Sequence, residues 1–216
     1  GWNGYSTRFW LLAELDPTVH YLSRASFDSS VTPQTASRDL FVALTGNEAA
    51  ADRIWQAFQH IEAATNLIDR HAIGFGFPVS GMMMKHYHPA DDPVWWTEVT
   101  EHYSQAMIEF FRSNGASHPR ARNLIYYYAK RSQYVLSYLS AVQSVRQAAV
   151  AQEQNNQDLS IEHIEAAIES IYDGIGSLSE VAQDQCDRGL IAVLNEYAYR
   201  PLMQKYEQLL EKSDRE

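Results

Sequence analysis

The stretch Ile161–Leu178, IEHIEAAIESIYDGIGSL, decides the fold class. Ile161, Ile164, Ile168, Ile171, Ile175 and Leu178 recur at alternating steps of three and four. That spacing places all six on one stripe of an α-helix and forms a heptad-like seam. A strand has no use for this period, because its successive side chains face opposite ways. The polar run Gln152–Asp158 (QEQNNQD) just upstream reads as a turn, with Asp158 or Ser160 as the N-cap of the isoleucine helix. Gly174 and Gly176 fall inside the helix, where each costs roughly 1 kcal/mol relative to Ala. They are expected to mark a kink or a close helix crossing.

Working outward, Ser117-His118-Pro119 opens a helical pattern that reaches about Gln154 and carries Tyr127, Tyr134, Tyr138, Leu139 and Val142. It is longer than most globular helices and is expected to be the spine of a bundle. Asp92-Pro93 starts another helix, with Val94, Val99, Met107, Phe110 and Phe111, ending at Asn114-Gly115. Thr32-Pro33 starts a helix to about Leu44, closed by a left-handed Gly46. Asn47 then caps a helix to about Arg70, in which Ile54, Phe58, Ile61, Thr65 and Ile68 share a face.

Nearer the start, Tyr5–Leu15 reads as a short helix capped by Ser6 or Thr7 and stopped by Asp16-Pro17. Residues 18–30 read as irregular, with at most a short helix over Val19–Ser23. At the other end, Asp187–Tyr197 is a helix, Arg200-Pro201 a break, and Leu202–Lys212 a last amphipathic helix. No alternating run supports a strand. The expectation is an all-α, bundle-like single domain of about six to eight helices with one long irregular loop. Its parts are an aromatic-rich opening segment (1–46) and a helical bundle (47–216).

A chain of 216 residues can bury a sizeable core. With 45% hydrophobic and 20% charged residues it is not a disordered chain. A formal charge of -10 argues against a nucleic-acid partner, which selects for a basic face. No apolar run is long enough for a membrane span. The lone cysteine, Cys186, allows neither an internal disulfide nor a cysteine-only metal cage. The abrupt, aromatic-rich start at Gly1-Trp2-Asn3-Gly4 reads as a piece of a longer protein.

The helix-free stretch Ile73–Trp96, IGFGFPVSGMMMKHYHPADDPVWW, concentrates the candidate chemistry. Long loops in compact domains are often functional. Phe75, Phe77, Tyr87, Trp95 and Trp96 offer ring faces to a sugar or a neighbouring domain, while Lys85, His86 and His88 can hydrogen-bond hydroxyls. His86 and His88 are also candidate metal ligands, with His71, His102, Asp91, Asp92, Glu98 and Glu101 close in sequence. Glu98 and His102 lack the Glu-x-x-His spacing of a di-metal bundle. Met82, Met83 and Met84 line a groove or plug the core. Arg112, Arg120, Arg122 and Arg131 hold an anion or form a salt-bridged face. No phosphate-cradling glycine loop, G-x-S-x-G or HExxH occurs, so no cofactor and no self-contained catalytic set are expected.

The run Thr7–Leu44 (TRFWLLAELDPTVHYLSRASFDSSVTPQTASRDLFVAL), its Gly46 break and the helix Asn47–Asp69 resemble the region after the barrel in α-glucuronidase-like glycoside hydrolases. Asp16-Pro17, the phrase Thr32-Pro33 to Leu40, and Asp187–Pro201 (DRGLIAVLNEYAYRP) carry the resemblance. It implies a helical C-terminal domain that packs on an upstream catalytic barrel, edges a carbohydrate cleft or builds a homodimer interface. The catalytic carboxylates would then lie on the barrel, outside this chain. Two other readings stand beside it. One is a helical metal- or ligand-binding protein using the His86/His88 loop, and the other a structural module that associates through the isoleucine seam.

Overall fold

The computed structural model describes residues 16–71 and 82–213. Among these the chain is all-α. Its helices are α1 (Asp16–Ala25), α2 (Pro33–Thr45), α3 (Glu48–Arg70), α4 (Val94–Ala116), α5 (Pro119–Glu153), α6 (Gln157–Ser179), α7 (Gln185–Leu194) and α8 (Arg200–Ser213). A 3-10 turn, Met83–His86, lies in the α3–α4 connection, and a π turn, Asn195–Tyr199, joins α7 to α8. The proposed helix Tyr5–Leu15, with its caps, falls outside the described residues.

The chain forms two compact units. Of the described residues, 16–61 and 105–129 belong to one, and 62–71, 82–104 and 130–213 to the other. Helices α3, α4 and α5 each give one end to each unit.

The first unit is built on rings. Phe41 and Phe58 stack with centroids 5.8 Å apart, and Phe110 and Tyr128 meet Phe58 edge-on at 5.4 and 5.2 Å. Offset and edge-on pairs of this kind add to the burial of the rings themselves. Local chemistry fixes α2 as its sequence predicts. Thr32 and Thr35 form a reciprocal capping box, Pro33 follows, and Gly46 closes the helix at φ 65°. Asn47 Oδ1 accepts from the Ala50 amide at the start of α3. Arg38 then reaches both Glu48 (2.7 Å) and Asp52 (2.8 Å), bracing the α2–α3 turn. Asp16-Pro17 stands in the first turn of α1, which runs on to Ala25 through residues that the sequence pattern left irregular. A proline in a first turn forfeits no bond, since that amide has no helical partner.

The second unit carries the larger core. Ile164, Ile171 and Leu178 of α6 are buried with Val142, Val145, Leu194, Leu202 and Leu209, and Ile161, Ile168 and Ile175 pack against the same cluster. The isoleucine seam therefore faces inward, with α7 and α8 packed on α6. Gly174 marks a close crossing. A Cβ there would sit 3.4 Å from both Ser137 Cβ and the Tyr134 ring on α5, whereas one on Gly176 would meet nothing.

Several boundaries differ from the sequence reading, among them the start of α7, which is Gln185 with Asp184 as its cap and not Asp187. Asn156, and neither Asp158 nor Ser160, caps α6, its side chain accepting from the Leu159 amide. Ser160 is instead buried and donates to the Ala148 carbonyl at 2.9 Å. Arg200-Pro201 is no break either. The wider π turn before it carries the Arg200 amide back to Asn195 O, so the helix continues past a residue with no amide hydrogen of its own.

Candidate functional site

The predicted site residues 82–96 belong to the second unit. The 3-10 turn presses Met83 fully into the core, with Met82 and Met84 beside it. The three methionines thus plug a hydrophobic core. Flexible thioethers suit this, because they fill the irregular gap a single turn leaves between helices. The turn contacts α8 and the π turn.

Tyr87 follows the plug into the interior. Its hydroxyl donates to Gln152 Oε1, which also accepts from Lys205 Nζ at 3.2 Å, and that ammonium lies 4.0 Å from the Tyr87 ring centroid. Burial raises the phenol pKa above its ordinary value and lowers that of the lysine. This arrangement ties the loop to α5 and α8 through one amide oxygen.

The tryptophans are also engaged. Trp95 stacks on His71 at 4.4 Å and lies parallel to Trp96 at 5.9 Å. Trp96 is buried, and the Arg146 guanidinium sits 4.8 Å from its ring. Arg146 also donates to the Asp91 carbonyl at 3.3 Å. Asp92 does not cap α4 as its place before Pro93 predicts. Its Oδ2 accepts from Gln143 on α5 at 2.5 Å, and its buried Oδ1 has no partner.

The histidines do not converge. His88 is exposed and its Nδ1 lies 3.0 Å from the Lys85 carbonyl, so that nitrogen carries the proton and donates. His86 is half-buried. Burial first, then the positive field of Arg146 with smaller contributions from His88 and Lys85, depresses its pKa to about 4. His102 Nε2 is 4.0 Å from Glu98. Among the described residues no three His, Cys, Asp or Glu side chains come close enough to hold a metal ion. Phe75 and Phe77 lie outside the described residues. Of the other ligand-binding candidates, Lys85 and His88 alone are exposed, while His86, Tyr87, Trp95 and Trp96 are wholly or largely committed to packing.

The arginines divide. Arg112 shares the buried carboxylate of Glu109 with Arg53, both at 2.8 Å, and Arg122 donates to the Ser117 carbonyl at 3.3 Å. Arg131 is buried and lies 3.7 Å from the buried Asp187, so it is not part of a solvated face. The side chain of Arg120 is outside the described set.

Sequence reasoning missed Arg146, Gln143, Gln152 and Lys205. The one available signal was a lone arginine inside AVQSVRQAAVA (141–151), where small and apolar residues otherwise dominate α5. No protein-family model, curated protein or solved structure matches the chain. Its own geometry has to carry the functional reading. No described helix is long and apolar enough to cross a membrane.

Proposed function

We propose that this chain is a non-catalytic helical domain of a larger carbohydrate-active enzyme, packing on a catalytic barrel that precedes it. One observation carries this reading. The described part of the loop richest in reactive side chains, residues 82–96, is folded into its own unit's core, with Met83 and Trp96 buried and Tyr87 held by Gln152. A loop spent in this way serves as scaffold.

The phrases behind the family resemblance point the same way. In the first, Thr32 caps, Pro33 begins α2, and Arg38 braces the α2–α3 turn. In the second, Asp187 meets Arg131 and accepts from the Gln183 amide at 2.9 Å, and Pro201 follows the π turn. These are fold-fixing roles, as expected where the chemistry resides in another domain.

The test is the coding sequence upstream of Gly1. The reading expects about 250 or more residues of alternating strands and helices there, the size of a (β/α)8 barrel. A start codon within a few residues of Gly1, or an unrelated upstream pattern, would contradict it.

A further inference from the structure

A surface groove of about 280 Å³ in the second unit has no role in the scaffold just described. It lies between residues 90–92, the last turns of α5 and the start of α6. Ala90, Val150, Ala151 and Leu159 give it an apolar floor. Its polar lining is Asp91, Asp92, Gln147, Gln154 and His163. Asp92 Oδ1 is shielded and unpartnered, and the side chains of Gln147, Gln154 and His163 make no hydrogen bond among the described residues.

The lining selects a ligand class by its chemistry. Two aspartates argue against an anion. A bound metal ion is disfavoured, since no three ligating side chains converge among the described residues. What remains is two carboxylates, which accept, and two amides and an imidazole, which both donate and accept, above a patch of methyl groups. Planar groups of this kind bind neighbouring hydroxyls, each of which donates and accepts at once, while C–H edges cover the floor. The volume is at the small end for ligand pockets, enough for one ring.

We propose that this groove binds one neutral, hydroxyl-rich ring of pyranose size, held by Gln147, Gln154 and His163. The proposal deepens the carbohydrate reading above and rests on it for its biological setting. Arg146 donates to the carbonyl of Asp91, one of the groove's lining residues.

The test is a titration of the ¹⁵N-labelled full chain with D-glucose and D-xylose, with ethylammonium chloride as a cationic probe. The expected result is a saturable shift of the Gln147 and Gln154 side-chain amides and of the residues around His163. Gln147→Ala and Gln154→Ala should each weaken binding about three- to tenfold, the loss of one hydrogen-bonding group. Both glutamines lie on the groove surface, so an unchanged spectrum of the free variants shows that the fold is intact. No saturable shift with either sugar, a response to ethylammonium alone, or shifts that map away from α5 and α6 would overturn the proposal. A barrel found upstream together with no sugar binding removes the groove proposal alone. Sugar binding without an upstream barrel removes the proposed function and leaves the groove.

Discussion

His86 and Glu109 both lie beside arginines, and each makes stability fall with acid, Glu109 at lower pH than His86. His86 is held neutral by burial and by Arg146, with its pKa moved from 6.5 to about 4. As pH falls below 6.5 the unfolded chain takes up this proton before the folded one does, so stability drops progressively down to about pH 4. His86→Gln should flatten that part of a plot of urea midpoint against pH; an unchanged slope would show that His86 is not the titrating group. Glu109 acts lower. Burial raises its pKa, but hydrogen bonds from Arg53 and Arg112 outweigh this and leave it below the ordinary 4.5. Its stabilising contribution is present above that value and is lost as pH falls through the depressed folded pKa. Glu109→Gln should therefore remove acid sensitivity below pH 4.5 and leave the His86 range intact. Neither environment was legible in the sequence. The partners of Glu109 stand three residues away on its own helix and 56 residues away on another, and only folding brings the second one near.

At the scale of the helix, what depends on a few neighbouring residues could be read. The Thr32–Pro33 start, the Gly46 stop, the Asn47 cap and the length of α5 are set by chemistry within one or two turns. The α6 cap was misassigned because Asn156, Asp158 and Ser160 are all good caps. Tertiary contact decided among them, since Ser160 is drawn inward to Ala148. Asn156→Ala should cost about 1 kcal/mol of stability, and Asp158→Ala clearly less; equal costs would show the cap to be misplaced. The two α6 glycines separate in the same manner. Gly176→Ala meets open space and should stabilise by about 0.5–1 kcal/mol through helix propensity. Gly174→Leu must force α5 and α6 apart and should cost about 1–3 kcal/mol. Urea unfolding of the pair reads both signs, and a stabilising Gly174→Leu would contradict the close crossing.

For the molecule as a whole, the all-α class was visible because helical periodicity is a local signal, and the isoleucine seam alone came close to fixing it. The candidate site was not visible, because a tyrosine, tryptophan or methionine suits a core as well as a binding surface. Burial distinguishes the two, and burial is settled by helices far apart in sequence. Lys205 reaches Tyr87 and Gln152 from the last helix, and Arg146 covers Trp96 from α5. The 82–96 segment thus closes the core of the second unit. The most direct test is urea unfolding of Met83→Ala. Removal of a fully buried methionine side chain should cost about 2–5 kcal/mol. A variant as stable as the parent would mean that the turn lies on the surface, and the loop would again be the leading binding site.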